Sequence, residues 1–149
     1  MSGSPLRIDK DGRWFFQGEE ITHRKTYLLY SRSLSRDDSG QIVLRVGREQ
    51  CAVDVEDAPF VVKSVEFISP GPGGEEAFWL ALNDETREKL DPATLRIGPD
   101  NVPYCKVRGG VFEARFSRNA YQLLAPHIRH NKTGTRFFLS LNGKKHYLS

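Results

Sequence analysis

Two stretches of this chain share one plan: RKTYLLYSRSLSRDDSG, from Arg24 to Gly40, and RNAYQLLAPHIRHNKTG, from Arg118 to Gly134. Each runs Arg, two residues, Tyr, a Leu-bearing apolar stretch and a polar close ending in Gly. Arg118, Tyr121 and Gly134 lie 94 positions after Arg24, Tyr27 and Gly40 respectively. Three matches at one offset, inside a similar order of strand, helix and hairpin signals, mark an internal duplication. Units this small bury too little surface to stand alone, so the two are expected to pack together. Their seam is then the natural place for a pocket.

The local signals fit that plan. RWFFQG reads as a strand ending at Gly18. Thr22 is an N-cap candidate for a helix from about His23 to Ser35, with Tyr27, Leu28, Tyr30 and Leu34 on its apolar stripe. QIVLRV and CAVDV read as strands joined at Gly47, and Phe60–Phe67 as a β-branched strand. SPGPGGEE is the richest stretch in chain breakers. AFWLAL returns as a strand, and NDETREKLDPATL gives a short helical turn or loop that Pro92 cuts off. YCKV and VFEARF form a hairpin about Gly109–Gly110. Ser117 caps a second helix from Arg118 to about Leu124, and RFFLSL and KHYLS close a hairpin on Asn142–Gly143. The expected fold is α+β: two similar tandem motifs, each a small antiparallel sheet with one helix. Residues 1–68 form the N-terminal motif, 69–102 a connecting strand and loop segment, and 103–149 the C-terminal motif.

Composition excludes several classes. The chain has 149 residues and a formal net charge of +3, from 22 Lys and Arg against 19 Asp and Glu. That balance disfavours nucleic acid as a partner. No apolar run approaches the roughly 20 residues that span a bilayer, so no membrane partner is expected. The N-terminus has no signal-like apolar core, so a cytoplasmic setting is expected. Cys51 and Cys105 read as half-buried free thiols, without partners at metal-ligand spacing. No nucleophile elbow, phosphate loop or dinucleotide fingerprint is present, which disfavours an enzyme; no cofactor and no metal are expected.

DGRWFFQGEEI, VEDAPFVV and PYCKVRGGVFEARFSRNAYQLL resemble a bacterial family known as domain of unknown function twelve-eighty-five. The resemblance spans nearly the whole chain. It implies two tandem motifs, the second loosely like a pleckstrin-homology domain, a nucleotide-like ligand at the interface between them and a role in signal transduction.

The candidate binding residues come from charge placement. A helix N-terminus is partly positive and prefers an acidic first turn. Here the first helix opens with His23, Arg24 and Lys25, and the second with Arg118, with Arg115 just upstream. Something negative is expected to offset them. One option is internal: Glu56, Asp57 or Glu113. The other is an external anion held by Arg24, Arg115, Arg118 and the Arg108–Gly109–Gly110 turn, with Asp57 orienting one guanidinium. Trp14, Tyr104 and Tyr121 either stack on a base or fill the core. His127 and His130 suit the end of the second helix better than a metal. The expected function is a non-catalytic module sensing a small anionic or nucleotide-like ligand. The alternatives are a protein–protein adaptor, and nucleic-acid binding through HIRHNKTGTR and NGKKH.

Overall fold

The computed structural model describes residues 4–148. The first copy opens with strands β1 (Leu6–Ile8), β2 (Trp14–Phe16) and β3 (Glu19–Glu20). Helix α1 (Arg24–Arg32) follows, then β4 (Leu34–Arg36), β5 (Ile42–Val46) and β6 (Glu49–Val55). A middle segment supplies β7 (Phe60–Ile68), β8 (Ala77–Leu82), β9 (Arg87–Lys89) and β10 (Arg96–Ile97). The second copy holds β11 (Pro103–Val107), β12 (Phe112–Phe116), α2 (Arg118–Leu124), β13 (Ile128–His130), β14 (Phe137–Leu141) and β15 (Lys144–Tyr147).

The duplication is visible in these bounds. α1 and α2 start 94 residues apart, and so do β4 and β13 at both ends. From β5 and β14 onward the offset becomes 95, because the second copy carries one more residue in the intervening loop. That loop is built alike in both copies. Asp37 Oδ1 accepts from the amides of Ser39 and Gln41, each at 2.9 Å. Asn131 Oδ1 accepts from the amides of Thr135 and Arg136 at 3.0 and 3.3 Å. Gly40 and Gly134 close the loops at φ +89° and +71°, a region other residues enter only with strain. Asp9 repeats the device a third time, accepting from the amides of Asp11 and Arg13.

The copies differ in how their hairpins pair. In the first, β6 pairs in parallel with β1, fusing hairpin and meander into a six-stranded sheet of order β3-β2-β1-β6-β5-β4. In the second, β12 pairs in parallel with β7, giving a six-stranded sheet of order β10-β11-β12-β7-β8-β9. The meander β13-β14-β15 stands as a separate sheet. Each large sheet is antiparallel but for that one pair, so the sheets are mixed rather than purely antiparallel. The fold is α+β with a tandem duplicated arrangement.

The larger core gathers Phe60, Phe78, Leu80, Leu95, Phe116, Leu124 and Leu139, and a smaller one centres on Ile8, Trp14, Leu44 and Val53. Leu34 and Ile42 pack against both, which joins the copies. Ser117 caps α2 as expected, its Oγ accepting from the Ala120 amide at 3.1 Å.

Three local expectations change. α1 ends at Arg32, short of Ser35, because Leu34 pairs with Leu44 in the sheet and strand pairing takes over from helical spacing. The N-cap position is His23, without a side-chain cap, so Thr22 lies one residue outside. In NDETREKLDPATL the Asp84 carboxylate accepts from the Thr86 amide and hydroxyl, turning the chain back as β9. Only Pro92–Thr94 is helical, as a 3-10 turn capped by Asp91.

Candidate functional site

The linker after β6 carries Asp57, and the second sheet reaches out to it. Tyr104 donates its hydroxyl to Asp57 Oδ2 at 2.6 Å, and the Arg115 guanidinium donates to the same oxygen at 2.8 Å. Tyr104 and Arg115 are register partners on β11 and β12, so both side chains leave one face. Burial, then the hydrogen bond to Asp57, pushes the Tyr104 phenol above its usual range, keeping it a donor; the same carboxylate raises Arg115. Arg96 forks onto Glu113 at 2.9–3.1 Å and lies 4.4 Å over the Tyr104 ring. Tyr104, Arg115 and Asp57 are thus brought together, as a clasp between linker and sheet.

The other cations expected at an anion site are spread out. Arg24 pairs with Glu85, Nε to Oε2 at 2.7 Å, across the seam. Arg108 pairs with the fully buried Asp84 and stands 4.9 Å over the Phe60 ring, while its amide donates to Glu88 at 3.2 Å. Arg118 is exposed, with no carboxylate within 4.0 Å among the described residues. Tyr121 lies elsewhere, lining a pocket with Ile97, Ile128 and Phe137. The internal carboxylates are Asp57 for Arg115 and Glu85 for Arg24; Glu56 and Glu113 serve Arg7 and Arg96.

The seam that encloses open space lies between the first copy and the middle segment. A cleft of about 230 Å³ is walled by Trp14, Ile21, Tyr27 and Ser31 of the first copy. Lys63 and Asn83 face them, and Asp11, Arg13 and Glu20 form the rest of the lining. Trp14 is 2% exposed, and its indole N–H donates to the Ser31 hydroxyl at 2.9 Å. Tyr30 meets its ring edge-on at 5.5 Å. This wall is therefore fixed.

Lys63 owes its position to a β-bulge. β7 pairs with β8 as Val62↔Leu82 and then Ser64↔Ala81, so Lys63 is the extra residue. Bulges re-aim a side chain and gather next to functional sites. Here the N-terminus of α2 holds the bulge: Ser117 N donates to Val62 O at 2.9 Å, and Asn119 Nδ2 donates to Lys63 O at 3.0 Å. Among the described residues no carboxylate lies within 4.0 Å of the Lys63 ammonium. Arg13, by contrast, is held by Asp9 at 2.9 Å. Asn83 closes the other side, accepting from the Val61 amide at 3.0 Å and donating to Gly12 O at 3.3 Å.

Of the residues expected from sequence, Trp14 alone lines this cleft. Lys63 and Asn83 were not anticipated, though a single cation inside the apolar run FVVKSV was a usable signal.

The model of the N-terminal domain of DUF1285, a domain of unknown function, matches residues 1–58. A DUF1285 family protein from Silicibacter pomeroyi is 25% identical, aligning over 97% of this chain and 79% of that one, with a TM-score of 0.78. The first 58 residues thus match the DUF1285 N-terminal domain, and the whole chain has the fold of a DUF1285 protein. A second DUF1285 protein, from Shewanella baltica, shares the fold with a TM-score of 0.65 at 20% identity, over 83% of this chain and 91% of that one. No curated protein matches the chain.

Other features of the chain bear on its chemistry. Burial pushes the Cys105 thiol up to about 12, so it stays protonated and unreactive. Among the described residues, no three His, Cys, Asp or Glu side chains cluster as metal ligands. No helix is long and apolar enough to cross a membrane.

Proposed function

We propose that this protein is a non-catalytic binding module that takes a small anionic, nucleotide-like ligand into the seam cleft. Occupancy would then be reported to partners in signalling. The observation that supports the reading is Lys63: a bulge sets this exposed side chain on the cleft shared with Trp14, Ile21 and Tyr27. Although Asp11 and Glu20 line the same cleft, no carboxylate among the described residues lies within 4.0 Å of its ammonium. A cation in that setting attracts phosphate or carboxylate, and Tyr27 and Ile21 offer apolar surface to a ring. The guanidiniums of Arg24, Arg108 and Arg115 hold the frame instead, each on its own carboxylate.

Thermal unfolding in the presence of adenosine monophosphate, guanosine monophosphate and inorganic phosphate tests this. A ligand at tenfold excess over its Kd should raise Tm by about 3–6 °C. Lys63→Gln should abolish the rise while leaving the unliganded Tm nearly unchanged. No shift with any probe at millimolar concentration, or a full shift in the variant, would overturn the reading.

A further inference from the structure

The modest net charge conceals a segregation. Seven of the 22 Lys and Arg lie after residue 113, and none of the 19 Asp and Glu does, so residues 1–113 carry 15 basic against 19 acidic groups. Ion pairing follows the same line. In the earlier part, Arg7, Arg13, Arg24, Arg87, Arg96 and Arg108 all sit on carboxylates. After residue 113 Arg115 alone does so among the described residues.

The cations left over converge on the sheet β13-β14-β15. Its inner face carries Leu139 and Leu141 into the large core. Its outer face is organised by register: Arg129, Phe138 and Tyr147 form one row across the three strands, and Ser140 and Lys145 the next. Aromatic rings hold the charges in place. Arg136 lies 4.1 Å over Tyr147 and Lys145 lies 5.0 Å over Phe138. Lys132 and Lys144 extend the charge beyond opposite ends of β14, whose five residues span about 17 Å. The nearby acid Glu76 accepts from the Asn142 amide at 2.7 Å and so ties this sheet to the body.

We propose that this outer face binds single-stranded nucleic acid. Charge complementarity calls for a polyanion, and the exposed Tyr147 among the cations offers a ring for a base to rest on. An acidic protein surface would use the charge but not the rings. The low net charge argues only against uniform attraction, not against a sheet whose own strands carry no acid, Glu76 being the one carboxylate that lines the pocket beside Arg129 and Ser140. The site is separate from the seam cleft and does not rest on it.

The test is fluorescence anisotropy with labelled oligouridylate and oligodeoxythymidylate of about 12 nucleotides in roughly 50 mM salt. Saturable binding is expected, with log Kobs falling against log salt by about 0.7 per phosphate contacted. Arg129→Glu and Lys145→Glu should each weaken it about tenfold, while Arg48→Glu in the first copy should not. Lys132→Gln and Lys144→Gln at the exposed hairpin tips, each with an unchanged circular dichroism spectrum, should flatten the salt slope if a charge reversal fails to fold. Absence of binding, equal weakening by Arg48→Glu, or a poly-glutamate peptide binding as tightly as either oligonucleotide would overturn the proposal. The last result would assign the face to an acidic protein instead.

Discussion

At the scale of single residues, the duplicated hairpin loop sets up a natural comparison. Asp37 and Asn131 hold equivalent positions and accept equivalent amide hydrogen bonds. The hydroxyl and amide of Ser39 and the amide of Gln41 hold the Asp37 carboxylate below its usual range. A carboxylate whose folded pKa is depressed stabilises the fold above its unfolded pKa, about 3.9, and that stabilisation is lost as pH falls through the folded value. Asn131 shows that an amide meets the geometry without the charge. Asp37→Asn should therefore lower the urea midpoint slightly at pH 7, and the gap to wild type should close as pH drops below about 4. A gap that persists unchanged into acid would mean that the charge contributes nothing there.

At the scale of elements, contact between the first copy and the middle segment turns on one glycine. Gly12 sits at φ +81°, and a Cβ placed on it would lie 2.7 Å from Asn83 Nδ2 and 3.0 Å from Val61 Cγ2. Gly47 also has positive φ, +62°, but open space around it. Gly47→Ala should cost about 1–2 kcal/mol of unfolding free energy for the backbone alone. Gly12→Ala should cost about 2–4 kcal/mol, because the Asn83 contact across the seam must also give way. Equal costs in chemical denaturation would mean that the seam is loose. The same elements show what sequence could reveal. The start of the second helix at Arg118, its Ser117 cap and the strand from Phe60 were legible because propensity, capping and packing agree there. The first helix instead starts at Arg24, one residue after the expected His23 and without the Thr22 cap. Where they disagree, local pattern misled: Leu34 fits a helical stripe but its partner Leu44 pulls it into a sheet. The bulge at Lys63 was illegible for a related reason, since it exists only as a register between β7 and β8.

At the scale of the whole molecule, two copies of one plan differ by an exchange of strand partners. β6 takes β1, whereas β12 takes β7 and leaves the last meander free. That exchange separates the protein's surfaces. One is the seam, where the Asp57 clasp joins the copies, and Arg24–Glu85 and Asn83 tie the first copy to the middle segment around a cleft. The other is the basic outer face of β13-β14-β15. Arg24, Arg108 and Arg115, which the sequence offered for an anion, each sit on a carboxylate, because ion pairing between residues distant in sequence decides which charges remain available. Arg115 follows Asp57 by 58 positions and Arg24 precedes Glu85 by 61, separations that leave no local signature.

The central claim is that the cleft beside Lys63 is where a small anion enters. Titrating 15N-labelled protein with adenosine monophosphate and following its amide and indole resonances tests this residue by residue. The account predicts saturating shifts at Gly12, the Trp14 indole, Tyr27, Lys63 and Asn83, with Arg129 and Lys145 unmoved. Shifts confined to the basic sheet, or none at the seam, would contradict it.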